Sequence, residues 1–171
     1  VMGCSEQMGG LALQKKVLIA FYSQSGNTKR IAELIQQQTN GELYEIVPMK
    51  AYKSLYLGGG ARIKGERESG VMPELHTPLP EIEPYEVVFL GTPNWGNSIS
   101  HPLIAFMKQC NLSGKKVFPF CTHGGGGSGH IEKDMQALLP KAKIQKIFEI
   151  YGNGGANAKQ AVSEWIGGIE L

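Results

Sequence analysis

The chain has 171 residues, of which 42% are apolar and 19% are charged. This length and composition are typical of one globular domain with a sizeable core. The formal net charge is only +2, and Lys and Arg form no dense stripe, which argues against a nucleic-acid partner. No apolar run approaches the ~18–20 residues that a membrane-spanning helix needs, so no transmembrane segment is expected.

The three cysteines, Cys4, Cys110 and Cys121, have no metal-type spacing and cannot form a complete set of disulfides. We expect free thiols in a reducing compartment, the cytoplasm. Cys110 and Cys121 are then predicted to pack as small apolar side chains, and a redox role for either is the alternative.

Residues 1–14 carry no clear periodicity and are interpreted as a tail, which leaves 15–171 as the folded domain. An alternative is that this tail begins with the end of a bacterial lipoprotein signal, with a lipid on Cys4. The protein would then be anchored at the bacterial cell surface.

From residue 15 the pattern alternates between apolar runs and amphipathic segments. The run at 16–22 is almost continuously apolar, as expected of a strand buried on both faces. Apolar residues then recur at helical spacing until Asn40-Gly41 ends the helix. A second strand is predicted at 43–47, and the polar stretch 50–69 is expected to be partly helical.

The second half of the chain repeats this alternation. Strands are predicted at 87–91, 116–121 and 144–151, and helices at 102–108, 131–139 and 157–166. Pro119 has no N–H to donate to a neighbouring strand, which predicts an edge or an irregularity at that position. Five strands alternating with about five helices predict an α/β three-layer sandwich, with a parallel sheet covered by helices on both faces.

The first predicted strand ends in a polar loop that opens a helix. This loop supplies hydroxyls, amides and backbone N–H groups through Ser23, Gln24, Ser25, Gly26, Asn27 and Thr28. A helix N-terminus presents unpaired N–H donors to an anion, and Gly26 allows close approach of the backbone. The loop is therefore predicted to bind a phosphate, and simple capping of the helix is the alternative.

A second unusual loop follows the third predicted strand. It contains Thr92, Pro93, Asn94, Trp95, Gly96 and Asn97. A tryptophan beyond a strand end, among Pro, Asn and Gly, is in poor context for a core residue. Trp95 is expected to flank a ligand at the carboxyl edge of the sheet, and filling the core is the alternative.

The third loop follows the fourth predicted strand and is rich in glycine. It begins with Thr122, His123, Gly124 and Gly125 and has no large aromatic residue. His123 lies either at the edge of the ligand, where an imidazole is able to transfer protons near neutral pH, or in a hydrogen bond with the loop backbone. All three loops should meet at one edge of the sheet.

Other interpretations of these residues find less support. A G-x-G-x-x-G pattern over Gly124, Gly126 and Gly129 follows the fourth strand, whereas a dinucleotide fingerprint belongs after the first. A lipase-like hydrolase requires a G-x-S-x-G elbow, which the sequence lacks. The sequence also has no H-E-x-x-H motif, cysteine cluster or P-loop, so neither a metal site nor a nucleoside triphosphatase is predicted.

Residues 17–28 resemble the first strand and phosphate loop of flavodoxins, in which a T/S-x-S/T-G-N-T pattern holds the FMN phosphate. The resemblance extends over about 15–165 and is greatest to a bacterial flavodoxin-like subgroup with similar second and third loops. It implies the flavodoxin-like fold with strand order 2-1-3-4-5. It also implies that FMN binds noncovalently at the carboxyl edge of the sheet.

The resemblance also implies roles for individual residues. The first loop would hold the phosphate, the second loop would flank the flavin ring with Trp95 stacked on it, and 122–125 would line the pyrimidine side. A peptide next to Gly96 would flip so that its carbonyl accepts a hydrogen bond from reduced flavin N5. Tyr52 and Tyr56 are further candidates to reach over the ring.

Two flavin functions remain open at this stage. One is an electron carrier that passes electrons to a redox partner protein. The other is a small NAD(P)H- or quinone-linked reductase that binds its substrate at an open flavin face. Small size favours the carrier, whereas the mildly basic charge does not, since well-known carrier flavodoxins are acidic. A flavin-free binding module is the third class.

Overall fold

A computed structural model describes residues 15–54 and 57–171. Residues 1–14 and Tyr56 lie outside the described residues, and so does the predicted lipid site at Cys4. The strands are β1 (Val17–Phe21), β2 (Glu42–Glu45), β3 (Val87–Trp95), β4 (Ser98–Ile99), β5 (Lys116–His123), β6 (Lys143–Ile144) and β7 (Phe148–Tyr151).

The described residues also form five α-helices, four of them between strands and one after the last strand. They are α1 (Asn27–Thr39), α2 (Gly59–Ser69), α3 (His101–Gln109), α4 (Ile131–Leu138) and α5 (Ala158–Gly167), and a short 3₁₀ helix (Gly155–Asn157) precedes α5. No helix among the described residues is both long enough and apolar enough to cross a membrane.

The main sheet is parallel, in the order β2-β1-β3-β5, and β6 and β7 both pair with β5 at the next position. Successive residues of β1 point to opposite faces of the sheet. Leu18 and Ala20 pack on the face covered by α3 and α4, while Ile19 and Phe21 pack on the face covered by α1 and α5. The structure thus confirms the predicted α/β sandwich. Its strand order differs slightly from 2-1-3-4-5, because β4 pairs with β3 as a hairpin and β6 and β7 share the last position.

The fifth strand differs from its prediction because it is interrupted. The predicted run 144–151 is divided into β6 and β7, which pair with opposite ends of β5. The carbonyls of Val117 and His123 accept hydrogen bonds from the side of β5 on which β6 and β7 lie. Pro119 is an even number of residues from both, so its nitrogen points to the same side and faces the interruption. The missing N–H of Pro119 therefore costs no ladder hydrogen bond, as expected of proline in a sheet.

The second loop also differs from its prediction. β3 continues through Trp95 instead of ending at Gly91, and it turns back as the antiparallel β4. Gly96 and Asn97 form the two-residue turn, with φ of 59° and 67°. Two consecutive positive φ angles are the requirement of a type I′ hairpin turn, which suits Gly and Asn.

Candidate functional site

A cavity of about 720 Å³ lies at the carboxyl edge of the sheet, where the three predicted loops meet. Its wall includes ten of the predicted residues: Gln24, Ser25, Asn27, Pro93, Asn94, Trp95, Gly96, Thr122, His123 and Gly124. The other six are not part of this wall: Ser23, Gly26, Thr28, Thr92, Asn97 and Gly125.

In the first loop, Ser23 caps the start of α1. Its Oγ accepts hydrogen bonds from the backbone N–H groups of Gly26 and Lys29, both at 3.1 Å. Gly26 has a φ of 96°, a conformation that few other residues adopt readily. The capping alternative thus describes Ser23, while the side chains that face the cavity are those of Gln24, Ser25 and Asn27.

Thr28 is buried and joins the first loop to the third. Its hydroxyl lies 2.8 Å from the hydroxyl of Thr122, which is 94 positions away along the chain. Both side chains are at most 3% exposed. This hydrogen bond fixes the start of α1 relative to the end of β5, so the two loops are held as one unit.

Trp95 is the centre of an aromatic cluster beneath the cavity and is only 9% exposed. Its ring meets those of Tyr52, Tyr22 and His101 edge-on, with centroid distances of 5.0, 5.6 and 5.6 Å. Most of the surface of Trp95 therefore fills the core, as the alternative predicted, while the remainder contributes to the cavity wall.

Asn94 fixes the hairpin turn and ties it to the third loop. Its Oδ1 accepts from the Asn97 N–H at 2.7 Å, and its Nδ2 donates to the Gly127 carbonyl at 2.7 Å. Thr92 lies deeper, where its hydroxyl accepts from the Ser100 N–H. These contacts set the position of the Gly96–Asn97 peptide at the cavity wall.

In the third loop, His123 accepts a hydrogen bond from the Gly125 N–H at Nδ1 and also lines the cavity. The predicted hydrogen bond with the loop backbone is therefore present, and a place beside a ligand stays a prediction. Glu149 accepts from the Ser128 N–H and so holds the far side of the loop. Tyr151, at the end of β7, is 68% exposed and lines the cavity beside His123.

Several residues of the wall were not predicted from the sequence. α2 and the segment before it contribute Lys53, Gly60, Ile63, Lys64 and Arg67, and the end of β7 and the turn after it contribute Tyr151 and Gly152. Three of these residues are cations, and no Asp or Glu among the described residues belongs to the wall. For Tyr151, its position at the end of a predicted strand was a signal in the sequence. The residues of α2 had no such signal, because this helix has no apolar stripe.

Tyr52 does not reach over the cavity, because α2 holds it. Glu66 accepts from the Tyr52 hydroxyl at 2.6 Å, from Arg62 Nε at 3.2 Å and lies 2.8 Å from His101 Nδ1. The Arg62 guanidinium also covers the Tyr52 ring at 3.7 Å. Burial and the hydrogen bond to Glu66 raise the pKa of Tyr52, so its hydroxyl remains a donor at neutral pH.

The family of the chain follows from a comparison with known proteins. The family model described as flavodoxin matches residues 16–169. The chain belongs to the flavodoxin family. No curated protein sequence matches it.

Several solved structures resemble this chain over most of its length. A candidate flavoprotein from Bacteroides uniformis is 29% identical, with a TM-score of 0.80, over 90% of this chain and 98% of its own. One from Bacteroides eggerthii is 28% identical, also with a TM-score of 0.80, over 91% and 98%. A flavoprotein from Lactobacillus acidophilus in complex with FMN is 20% identical, with a TM-score of 0.72, over 89% and 99%, and shares the fold.

Two cysteines, Cys110 and Cys121, are predicted to react slowly with thiol reagents. Burial raises the pKa of Cys110 to about 11, and burial together with the nearby Glu149 raises that of Cys121 to about 12. Because only the thiolate reacts, labelling of a Cys4→Ser variant at pH 8 should be at least ~100-fold slower than that of an ordinary thiol. The rate should rise about tenfold per pH unit between pH 8 and 10.

Labelling with a chromogenic disulfide reagent measures this rate, and the same variant in urea is the control. Rapid labelling of the folded variant at pH 8 would show that one of these thiols is accessible as a thiolate, and would support a redox role for it.

Proposed function

We propose that residues 15–171 form a domain that binds FMN noncovalently and transfers electrons through it. The observation that carries this proposal is the meeting of three loops around one cavity of about 720 Å³, beside the start of α1. Cavities of this size hold ligands such as cofactors, and parallel sheets bind them at this edge.

The residues around the cavity suit the phosphate of FMN at one end and its flavin ring at the other. At one end, the first turn of α1 supplies backbone N–H donors that have no partner within the helix, and Ser25 and Asn27 line the wall beside them. The Ser23 cap and the Thr28–Thr122 hydrogen bond hold these donors in position. This arrangement would bind the phosphate with neutral groups and the dipole of α1.

At the other end, the wall provides flat and apolar groups for the flavin ring. Trp95 and Pro93 come from the second loop, and Tyr151 and His123 come from the opposite side. Tyr151 is exposed and could move onto the outer face of the ring, a position that the third loop itself leaves without an aromatic residue. The bound flavin supplies the redox chemistry, and the protein sets its binding and potential.

The partner of the carrier would be an acidic protein. Lys53, Lys64 and Arg67 line the cavity on one side, so the rim attracts a negatively charged surface. A small FMN-dependent reductase of NAD(P)H or quinones is the second candidate. It is favoured by a second cavity of about 410 Å³ that adjoins the first at Gly96 and Arg67 and offers room for a substrate.

The decisive experiment is a redox titration of the FMN-loaded protein. Uptake of FMN is measured first, by the loss of free flavin fluorescence on titration with apoprotein. Two well-separated one-electron steps would support the carrier, whereas a single two-electron step with NAD(P)H as the reductant would support the reductase. Absence of FMN uptake would contradict both functions.

Replacement of Gly96 by alanine is expected to shift the flavin potentials while FMN stays bound. A flip of the Gly96–Asn97 peptide converts the type I′ turn to type II′, whose first central position is reserved for glycine. Alanine would oppose the flipped form, whose first central position is essentially restricted to glycine, by about 1 kcal/mol, which is ~40 mV for one electron, and would make the first potential more negative. Added at Gly96, a Cβ would have the flexible end of Arg67 as its nearest neighbour among the described residues, at 3.1 Å.

The control for this variant is Gly65→Ala in α2, where an added Cβ meets no atom within 4 Å. Potentials of the Gly96 variant that equal those of the wild type would count against the flip.

A further inference from the structure

The second cavity, of about 410 Å³, lies behind the hairpin turn and between α2 and α4. It shares Gly96 and Arg67 with the larger cavity, so the two are neighbours on either side of this contact. Its wall includes the polar side chains of Arg67 and His130 and the apolar ones of Met72, Ile99 and Ile104.

Arg67 is a cation at the junction of the two cavities. Its guanidinium lies directly against Gly96, since a Cβ at that glycine would be 3.1 Å from Arg67 Nη2. The side chain is exposed, and no carboxylate of the described residues is within 4 Å of it. Arginine in this state is suited to bidentate binding of a carboxylate or sulfonate.

The nearby acidic groups are already occupied by other donors. Asp134 accepts from Ser98 Oγ at 2.6 Å and lies 2.9 Å from His130 Nδ1. Glu66 is held by Tyr52, Arg62 and His101. Neither Asp134 nor Glu66 belongs to the wall of the second cavity, so Arg67 makes the charge of this wall positive.

The rest of the wall is apolar enough to hold a hydrophobic body. Ile99 is buried, and Met72 and Ile104 are half-buried. Methionine adapts to flat ligands because its side chain is flexible and its sulfur favours contact with aromatic rings. An inorganic anion would leave this apolar surface unused.

We propose that the second cavity is a binding site for a small organic anion with a flat apolar body, whose carboxylate or sulfonate pairs with Arg67. The body lies against Met72 and Ile104. Because Arg67 also borders the larger cavity, this ligand would lie beside the flavin as an electron donor or acceptor. That role rests on the proposed function, but the binding itself does not.

The test measures binding of 2-naphthoate and of its neutral analogue 2-naphthamide by calorimetry, with both apoprotein and FMN-loaded protein. We expect naphthoate to bind at least tenfold more tightly than naphthamide. The Arg67→Gln variant should lose at least tenfold in naphthoate affinity and keep its naphthamide affinity within twofold. Lys159→Gln, a change of an exposed cation on α5, is the matched control and should leave both affinities unchanged.

A Met72→Trp variant, which fills the cavity, should weaken both ligands. Equal affinity of wild-type protein for the two ligands, or an Arg67→Gln variant that binds naphthoate normally, would overturn the proposal. Displacement of FMN by naphthoate would assign the anion to the larger cavity and would also overturn it. Binding of naphthoate by a protein that does not take up FMN would refute the proposed function and leave this site intact.

Discussion

Replacement of Gly91 by alanine is expected to lower the free energy of unfolding by about 1–3 kcal/mol, the usual cost of forcing extra atoms into a packed core. Gly91 lies in β3, and the Phe120 ring of β5 covers it. An added Cβ would lie 2.2 Å from Phe120 Cζ and 2.4 Å from Cε2. The φ of Gly91 is not in the positive range, so the effect is steric and does not come from backbone strain.

The Phe120 ring has little room to move away from such a methyl group. It is fully buried and packs in the cluster that contains Phe89 and Phe118. Urea denaturation measures the loss, and Gly65→Ala is the matched control, since it adds the same methyl group in open space within a helix. A Gly91→Ala variant as stable as the wild type would show that the ring relaxes without cost.

The core of this fold could be predicted because its strands carry their own signal. β1, β3 and β5 are buried on both faces, and such strands are continuous apolar runs that few other structures explain. Pro119 was a second local signal, because a residue without an N–H had to face a gap in the ladder. Here the gap is the interruption between β6 and β7.

The hairpin at the second loop was missed although its signal was present. Gly96-Asn97 is a two-residue turn of the kind that joins antiparallel strands. The flanking residues include Pro93 and Asn94, which are rare inside strands and favoured the interpretation as a loop. The short β4 is held by tertiary contacts, since Ser98 donates to Asp134 of α4.

The first loop, Ser23 to Thr28, shows which part of a candidate site the sequence cannot resolve. The motif indicates that hydroxyls and amides gather at the start of α1, but not which of them face the cavity. Ser23 turns to the backbone, and Thr28 turns inward to Thr122, a partner 94 positions away. Such choices depend on tertiary neighbours, so only the structure separates Ser25 and Asn27 from the rest.

α2 was the least predictable part of the site because polar contacts hold it. Only Gly59 of this helix is buried, so it lacks the apolar stripe that usually fixes a helix to a core. Its anchor is Glu66, which bonds to Tyr52 and His101 at sequence separations of 14 and 35. Gly59 fits closely against the Lys53 carbonyl, where an added Cβ would be at 2.0 Å.

Replacement of Glu66 by alanine is therefore expected to destabilise the packing of α2 beside the cavity. The change leaves His101, which is 3% exposed, without its carboxylate partner, and also removes the acceptor of the Tyr52 hydroxyl. An unsatisfied buried polar group costs about 1–3 kcal/mol. We expect faster hydrogen exchange of the amides of 59–69 and, since α2 lines the cavity, about tenfold weaker FMN binding, equivalent to ~1.4 kcal/mol.

Two further variants test whether α2 is held by the contacts of Glu66 or by negative charge on the helix in general. Glu68→Ala removes an exposed carboxylate from the same helix, whose pair with Lys64 is at 3.9 Å, and such surface pairs contribute little. It should leave both hydrogen exchange and FMN affinity close to the wild type. Glu66→Gln keeps an acceptor for Tyr52 and should recover part of both losses. If Glu66→Ala and Glu68→Ala behave alike, the anchor is not Glu66, and α2 is held by the close fit of Gly59 against Lys53.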